Sequence, residues 1–308
     1  MEGRTHGVLG RVLAAALFVG LAACGGTLRI DSGPPPRVAV LSAFPAEMAP
    51  VLAQATVDDT VMINDRRFRI GTLSGVPVII GLTGVGLVNA AATTHALLEQ
   101  FEVAGIVVSA VAGSALQIGD VTVPATWELA DGTGYAVDGH WLKLAEAMAA
   151  PGAVSLERCT VPVSPPGKGT VCMLEQPVVV VGGVGQSTDP FGGKPFPCSP
   201  KGNDVFGCDV ASGTSGSAAA AQRRASEAAA TADTEAPVAV DNETAAIAAE
   251  AAQRGVRFIA FRAVSDGAGD PLMLPGYPTQ FFAYYRFAAQ NAATATGTFL
   301  RRLAARQS

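Results

Sequence analysis

Four carboxylates stand out because each follows a predicted buried strand or begins a predicted helix: Glu47, Asp189, Glu243 and Asp266. Only 15% of the 308 residues are charged, against about 25% in ordinary soluble domains. Carboxyl groups at apolar strand ends can exchange protons with a ligand or stabilise positive charge on it. Singly, each has a simpler role: capping a loop or helix, or favouring a helix dipole. Together at one sheet edge, they favour a functional site.

Strand and helix patterns alternate along the chain, which predicts an α/β fold with three layers, αβα, around a central mixed sheet. Ligands of open α/β sheets bind at the carboxyl ends of the strands, where these carboxylates are predicted to lie. The predicted strands are 37–44, a hairpin within 67–86 that turns at Ser74-Gly75, 104–115, 118–124, 177–191 and 256–266. The predicted helices are 87–98, 216–231, 239–255 and 279–306.

The charge composition argues against two classes of partner. The chain has 21 Lys and Arg and 26 Asp and Glu, a formal net charge of −5, so nothing attracts it generally to nucleic acid or anionic lipid. No basic run interleaved with aromatic residues occurs, which is the pattern a nucleic-acid site would show. A small molecule is therefore the expected ligand.

Six motifs occur in an order that resembles the nucleoside phosphorylase and nucleosidase superfamily. Within it, the chain is most similar to 5′-methylthioadenosine/S-adenosylhomocysteine nucleosidases and to plant bark and vegetative storage proteins. The resemblance covers about 37–125 and 177–305. The motifs are "LSAFPAE" (41–47), "TGVGLVNAA" (83–91), "VAGSALQIGDV" (111–121), "STDPF" (187–191), "VDNETAAIA" (240–248) and "RAVSD" (262–266).

The resemblance implies roles in cleaving an N-glycosidic bond. Asp266 would protonate the leaving purine, and Ser265 would orient it. Glu243 would bind the ribose hydroxyls and stabilise positive charge on the sugar. Glu47 would activate water. No metal and no organic cofactor is implied.

The resemblance also implies a purine-binding role for Phe191, and it places Gly113 and Asn242 among the substrate-binding residues. Asn242 stands where the family usually has Met, and Ala110 and Ser114 stand where it has glycine, so the pocket is expected to be altered. Three aromatic residues at helical spacing either cover the ligand or belong to the core: Phe281, Phe282 and Tyr285.

The loop after the first strand separates hydrolysis from phosphorolysis. A phosphorylase must hold a phosphate dianion, but "SAFPAEM" (42–48) contains no Lys or Arg, and Glu47 would repel phosphate. The "TGVG" turn (83–86) can bind an anion or simply join a strand to a helix. The sequence thus favours an adenine-type purine ribonucleoside hydrolase. A non-catalytic purine-binding or storage-like protein and a phosphorylase stay open as alternatives.

The N-terminus predicts export. An apolar run at 12–23 suits a signal peptide and is too short to span a bilayer comfortably. It ends in "LAACGG", which resembles a bacterial lipoprotein signal (1–24) with Cys24 lipidated; an ordinary signal peptide is the alternative. Gly25 indicates outer-membrane retention in the periplasm, and 25–36 would be a tether. The resemblance further implies a homodimer.

Four cysteines lie in a Pro/Gly-rich region of the domain 37–308, in a predicted insertion at about 140–210: Cys159, Cys172, Cys198 and Cys208. In an exported chain such a set indicates disulfides. Local pairing is favoured, although the other two connectivities stay open. Zinc is the less favoured alternative because no CxxC pair occurs and His140 is the only nearby histidine.

Overall fold

The structure, a computed structural model, describes residues 36–202, 204–210 and 236–306. The predicted signal peptide with Cys24, nearly all of the predicted tether and the predicted helix 216–231 lie outside the described residues.

Strands and helices alternate along most of the chain. The helices are α1 (Pro45–Leu52), α2 (Leu87–Gln100), α3 (Gly139–Glu146), α4 (Thr244–Gln253) and α5 (Thr279–Ala304). The strands are β1 (Arg37–Ser42), β2 (Ala55–Ile63), β3 (Arg66–Leu73), β4 (Val76–Leu82), β5 (Val103–Gln117), β6 (Val121–Val123), β7 (Thr126–Leu129), β8 (Gly134–Ala136), β9 (Cys159–Thr160), β10 (Val171–Cys172), β11 (Val179–Val181), β12 (Val184–Ser187), β13 (Ala239–Asp241) and β14 (Arg257–Ala268).

Within the described residues, twelve of these strands form one mixed sheet. β1 lies between β4 and β5, and both pairings are parallel. β2 and β3 extend the sheet beyond β4 as antiparallel strands. On the other side of β5 the sheet branches, because β5 pairs with β14 along most of its length and with β13 near its end. Four parallel strands, β4, β1, β5 and β14, therefore end close together.

Helices cover both faces of the sheet. Alternate side chains of the central strands enter two separate cores, as a strand's two-residue period requires. Val40 and Val107 pack in the core that includes residues of α1, α3 and α5. Ala39 and Ile106 pack in the core that includes residues of α2 and α4. The predicted three-layer αβα fold with a mixed sheet is confirmed.

Two predicted elements differ from the structure, and the exposed strand β2 was not predicted. The single strand predicted at 177–191 is two strands, because Gly182 and Gly183 adopt φ of 103° and 73° and redirect the chain. The helix predicted at 239–255 begins only at Thr244, since the residues before it pair with β12 and β5 as β13. β2 was not predicted because most of its side chains are exposed, which leaves no buried periodicity to detect.

The cysteines form two local disulfides, Cys159–Cys172 and Cys198–Cys208. The first joins paired residues of the β9–β10 hairpin. Both pairs are thus unavailable as thiolate ligands for zinc. The range 140–210 also contains β11 and β12, which belong to the central sheet. No helix in the described ranges combines the length and apolar composition needed to cross a membrane.

Candidate active site

The C-terminal half of β5 is the centre of a buried polar cluster. The Val111 N–H donates to Glu47 Oε1 at 2.8 Å. The Val111 carbonyl accepts from Arg262 Nη1, also at 2.8 Å. Two residues further on, Gly113 lies directly beside the carboxyl group of Asp266. This part of β5 therefore brings together Glu47, which follows β1, with Arg262 and Asp266, which lie on β14. Parallel neighbouring strands are expected to gather such side chains at one edge of the sheet.

Glu47, on the first turn of α1, is held by backbone donors that directly precede the helix. Its Oε2 accepts the N–H groups of Ala43 at 2.6 Å and Phe44 at 3.3 Å. Only 1% of Glu47 is exposed. Burial raises its pKa to about 8, although Arg262, whose Nη1 lies 3.9 Å from Oε1, opposes that rise. A carboxyl group with a pKa near neutrality can accept a proton from water during a reaction.

Arg262 is a buried cation shared by carboxylates. Its Nη2 lies 2.8 Å from Asp241 Oδ2 and 3.3 Å from Glu243 Oε2. The other oxygen of Glu243 accepts the Gly86 N–H at 2.9 Å. Burial raises the pKa of Glu243, and Arg262 opposes the rise. Because Arg262 is only 1% exposed, it depends on these acids for compensation, as they depend on it.

Sequence reasoning missed Arg262 as a site residue, and it considered Asp241 only for a helix cap. Asp241 does cap α4, accepting the N–H groups of Glu243 at 3.1 Å and Thr244 at 3.2 Å, but it also pairs with Arg262. A signal for Arg262 was present, since a cation interrupts the apolar run of β14. Buried Arg is rare unless it is paired.

Asp266 has the properties of a proton donor. The Ser265 hydroxyl donates to its Oδ1 at 2.7 Å. That hydroxyl also lies 3.3 Å from the Ala112 carbonyl oxygen, which ties the pair to β5. Burial raises the pKa of Asp266, and the hydrogen bond from Ser265 offsets part of the rise. A carboxyl group that keeps its proton to higher pH is suited to general acid catalysis.

Gly113 leaves the space that Asp266 occupies. A Cβ at this position would lie 2.7 Å from Asp266 Oδ2, closer than real Cβ contacts allow. We therefore expect Gly113→Ala to displace the carboxyl group and lower kcat about 10-fold or more, since small misplacements of a reacting group are costly. Steady-state hydrolysis of a purine ribonucleoside measures the effect. Gly139→Ala is the control because nothing lies within 4 Å of a Cβ there; equal rates for both variants would contradict the prediction.

In the "STDPF" segment, Asp189 caps a turn and Phe191 makes an aromatic contact. Asp189 accepts the Phe191 N–H at 3.0 Å and the Gly193 N–H, so this carboxylate caps a turn and is not part of the polar cluster at β5. The Phe191 ring packs on Gly86, where a Cβ would be 2.8 Å from the ring. It also contacts Phe196, with ring centroids 4.8 Å apart. Phe191 thus lies against the turn that binds Glu243.

Three residues differ from those usual in the resembling family, and each is accommodated by its neighbours in the structure. The Asn242 amide is hydrogen-bonded to the Thr188 hydroxyl at 3.0 Å. Ala110 is fully buried in the core beneath α2 and α4. Ser114 donates to the Val238 carbonyl at 2.8 Å. Each replacement is accommodated by packing or hydrogen bonding.

The aromatic residues of α5 form a cluster with Phe44. Phe44 was not among the candidate residues in the sequence. Phe281 and Tyr285 stack with centroids 5.7 Å apart. Phe44 meets both edge-on, at 6.1 and 6.4 Å. Phe282 contacts Phe281 edge-on at 5.1 Å. Because Phe44 directly precedes α1, this cluster forms an apolar wall next to Glu47.

Comparison with known families gives the superfamily. The family model of the phosphorylase superfamily matches residues 37–305, which includes every strand and helix described above. The chain belongs to the phosphorylase superfamily. It is 37% identical over 193 residues to the uncharacterized protein Rv2293c of Mycobacterium tuberculosis, covering 55% of this chain and 75% of that protein. It is also 57% identical over 63 residues to the uncharacterized protein Rv2292c of the same organism, covering 20% and 85%.

Solved superfamily structures share the fold. Futalosine hydrolase of Helicobacter pylori aligns with a TM-score of 0.58 and 18% identity, covering 86% of this chain and 97% of that one. A 5′-methylthioadenosine/S-adenosylhomocysteine nucleosidase from Colwellia psychrerythraea, in complex with adenine, aligns with a TM-score of 0.59 and 20% identity, covering 87% and 96%. The architecture around β5 is therefore a nucleosidase fold.

Proposed function

We propose that this protein hydrolyses the N-glycosidic bond of a purine ribonucleoside with an adenine-type base. The observation that carries the proposal is Asp266, a carboxyl group with a raised pKa, oriented by Ser265 beside a glycine. A purine leaves more readily when a ring nitrogen receives a proton, and Asp266 donates that proton. The similarity in fold to nucleosidases, one of them solved with adenine, supports this assignment.

Two further carboxylates serve the other half of the reaction. As the bond to the base breaks, positive charge grows on the ribose ring. Glu243 binds the ribose hydroxyls and stabilises that charge. Glu47 removes a proton from the attacking water. Because burial raises the pKa of Glu47 to about 8, the proton it accepts is held more tightly than by an exposed glutamate.

Water is the nucleophile that the site favours over phosphate. The guanidinium of Arg262 lies against Asp241 and Glu243, with Glu47 nearby. Two unit charges 4 Å apart interact by about 4 kcal/mol at an effective dielectric of about 20, so these acids disfavour an incoming dianion. Arg262 therefore neutralises the cluster and does not serve as a phosphate ligand.

A nucleoside panel tests the proposal. The protein without residues 1–24 is incubated with purine and pyrimidine ribonucleosides, with and without phosphate, and free base and sugar are quantified. Free base and ribose from a purine ribonucleoside, without phosphate, are expected. A sugar phosphate that forms only when phosphate is added would support a phosphorylase. Purine binding without turnover would support a non-catalytic binding protein.

The buried acids predict how stability depends on pH. Burial raises the pKa of Glu47 from 4.5 to about 8 and also raises that of Asp266. The folded protein therefore keeps protons that the unfolded chain has lost. The stabilising contribution of Glu47 is full below 4.5 and is lost as the pH rises through about 8. The free energy of unfolding in urea should fall by at least about 1 kcal/mol between pH 5 and pH 8.

Glu47→Gln is the control for that measurement because it removes the titrating group at nearly constant size. This variant should show a shallower fall over the same pH interval. A wild-type stability that is constant, or that rises with pH, would contradict the raised pKa of Glu47.

We also propose that the protein is exported, lipidated at Cys24, retained in the periplasm at the outer membrane and active as a homodimer. The lipoprotein-like signal and the two disulfides support export, since disulfides persist in oxidising compartments. Palmitate labelling that is lost in Cys24→Ala, together with fractionation, tests the anchor and location. Light scattering of the purified protein tests the dimer.

A further inference from the structure

Residues 194–202 and 204–210, closed by the Cys198–Cys208 disulfide, form a segment that we call the strap. The strap is fixed to the first turns of the helices that follow β1 and β4. The Ala46 N–H, on the first turn of α1, donates to the Asp204 carbonyl at 2.8 Å. The Asn89 side chain, on α2, donates to the Phe196 carbonyl at 2.6 Å. The strap thus bridges the two helices that begin at the site.

Ion pairs hold the strap at two further points. Asp204 accepts from Arg286 Nε at 2.6 Å, which ties the strap to α5. Asp209 pairs with Arg67 and Arg69 of β3, the latter at 2.6 Å. These ion pairs lie on two different elements, α5 and β3, so the disulfide-closed loop is held from two further sides.

The strap leaves almost no space above the strand ends that it covers. Its Phe196, Val205 and Phe206 face Ala43, Gly84 and Val85 across a gap of about 10 Å³. That volume is at the lower limit for one water molecule, roughly 10–15 Å³. Ala43 is the residue whose N–H holds Glu47. A gap of about 10 Å³ is too small for a 5′ substituent larger than a water molecule.

The sheet order shows which end of a nucleoside would meet the strap. Asp266, the proton donor to the base, lies on β14, on one side of β5. β1 and β4, which the strap covers, lie on the other side of β5. With the base at Asp266 and the ribose hydroxyls at Glu243, the remaining part of the nucleoside is the 5′ carbon with its substituent. That part extends toward the covered side.

We propose that the strap is a specificity element that closes the site opposite Asp266 and excludes nucleosides with a bulky 5′ group. The inference rests on the proposed nucleosidase function and narrows it to ribonucleosides with a small 5′ substituent, such as a hydroxyl. Exclusion by steric conflict is a common way for a site to separate substrates that share their reacting part.

The test compares adenosine, 5′-methylthioadenosine and S-adenosylhomocysteine, which differ only at the 5′ position. The wild-type kcat/KM should be about 100-fold or more higher for adenosine than for S-adenosylhomocysteine. Two variants loosen the strap, Cys198→Ala/Cys208→Ala and Asp204→Asn. Each should reduce that ratio about 10-fold, mainly by raising kcat/KM for the bulky substrate.

The second disulfide supplies a matched control. Cys159→Ala/Cys172→Ala removes a bond of similar loop length, with a sequence separation of 13 against 10, from a hairpin outside the strap. It should leave the ratio within about 3-fold of wild type. Circular dichroism confirms folding, and Asp204→Asn keeps both disulfides if the cysteine variant unfolds. An unchanged ratio in the folded strap variants, or a wild type indifferent to the 5′ group, would overturn the proposal.

Failure of the nucleosidase function is recognised separately, because the wild type would then release base from none of the three compounds. The same compounds are in that case titrated by calorimetry. The strap predicts tighter binding of adenosine than of S-adenosylhomocysteine, and a smaller difference in the strap variants. Equal affinities, or no binding of any of them, would overturn the strap proposal itself.

Discussion

Asp266→Asn is expected to lower kcat by about 10²–10⁴-fold, the usual contribution of a positioned general acid. The amide has nearly the same shape as the protonated carboxyl group, and its oxygen can still accept from the Ser265 hydroxyl, which lies 2.7 Å from Oδ1. It cannot transfer a proton to a leaving purine. Burial raises the pKa of Asp266, so the amide also removes a buried ionisable group, and stability should not fall.

The comparison uses three measurements on purified protein: steady-state turnover, ligand affinity by calorimetry and urea unfolding. Affinity should change much less than kcat because Glu243, the proposed ligand of the ribose hydroxyls, is unchanged in this variant. Asp131→Asn makes the same chemical change at an exposed turn, where the carboxylate accepts the Thr133 N–H, and should leave kcat unaltered. Full activity in Asp266→Asn would remove this residue from the mechanism and leave the base without a proton donor.

Arg262→Gln is expected to destabilise the protein by about 3–5 kcal/mol, the range found when one partner of a buried ion pair is removed. The side chain is 1% exposed and lies within 4 Å of three carboxylates, those of Glu47, Asp241 and Glu243. Without it, these acids must either remain charged without compensation or take up protons. Because the free energy of unfolding of a domain is only about 5–15 kcal/mol, this substitution would remove a large part of it.

Urea unfolding at two pH values makes this prediction specific. Near pH 5 the carboxylates left without Arg262 take up protons more readily than near pH 8. The decrease in the free energy of unfolding should therefore be smaller near pH 5. Arg257→Gln is the matched control on the same strand. Its side chain is 59% exposed and lies 3.8 Å from Asp138, and the change should cost less than about 1 kcal/mol. An Arg262→Gln variant as stable as this control would show that the cluster does not need its cation.

Fold class and most elements followed from the sequence because the central strands are buried on both faces and read as continuous apolar runs. The exceptions have physical causes. β2 pairs by backbone hydrogen bonds with β3 while exposing its side chains, and β13 consists of three residues directly before a helix. Hydrophobic periodicity carries no information about either.

The candidate site was predicted less completely than the fold. The motifs give the residue types of Glu47, Glu243 and Asp266, but periodicity cannot show that Arg262 crosses between strands to neutralise the acids. Asp189 appeared equivalent to the other three in sequence, yet it lies in a turn, because a carboxylate after a strand is equally suited to capping. Covering of the strand ends by the strap depends on contacts between residues far apart in sequence, which local patterns do not encode.

The position of β14 has a consequence for how the protein is made. This strand pairs with β5 across roughly 150 residues of intervening chain, and such distant contacts form slowly because a long loop must close first. It also carries Arg262 and Asp266, so neither the neutralised acid cluster nor the proposed proton donor is in place until β14 has paired with β5. A folding intermediate in which β14 has not yet paired with β5 therefore holds Glu47, Asp241 and Glu243 without the cation that compensates them in the folded protein.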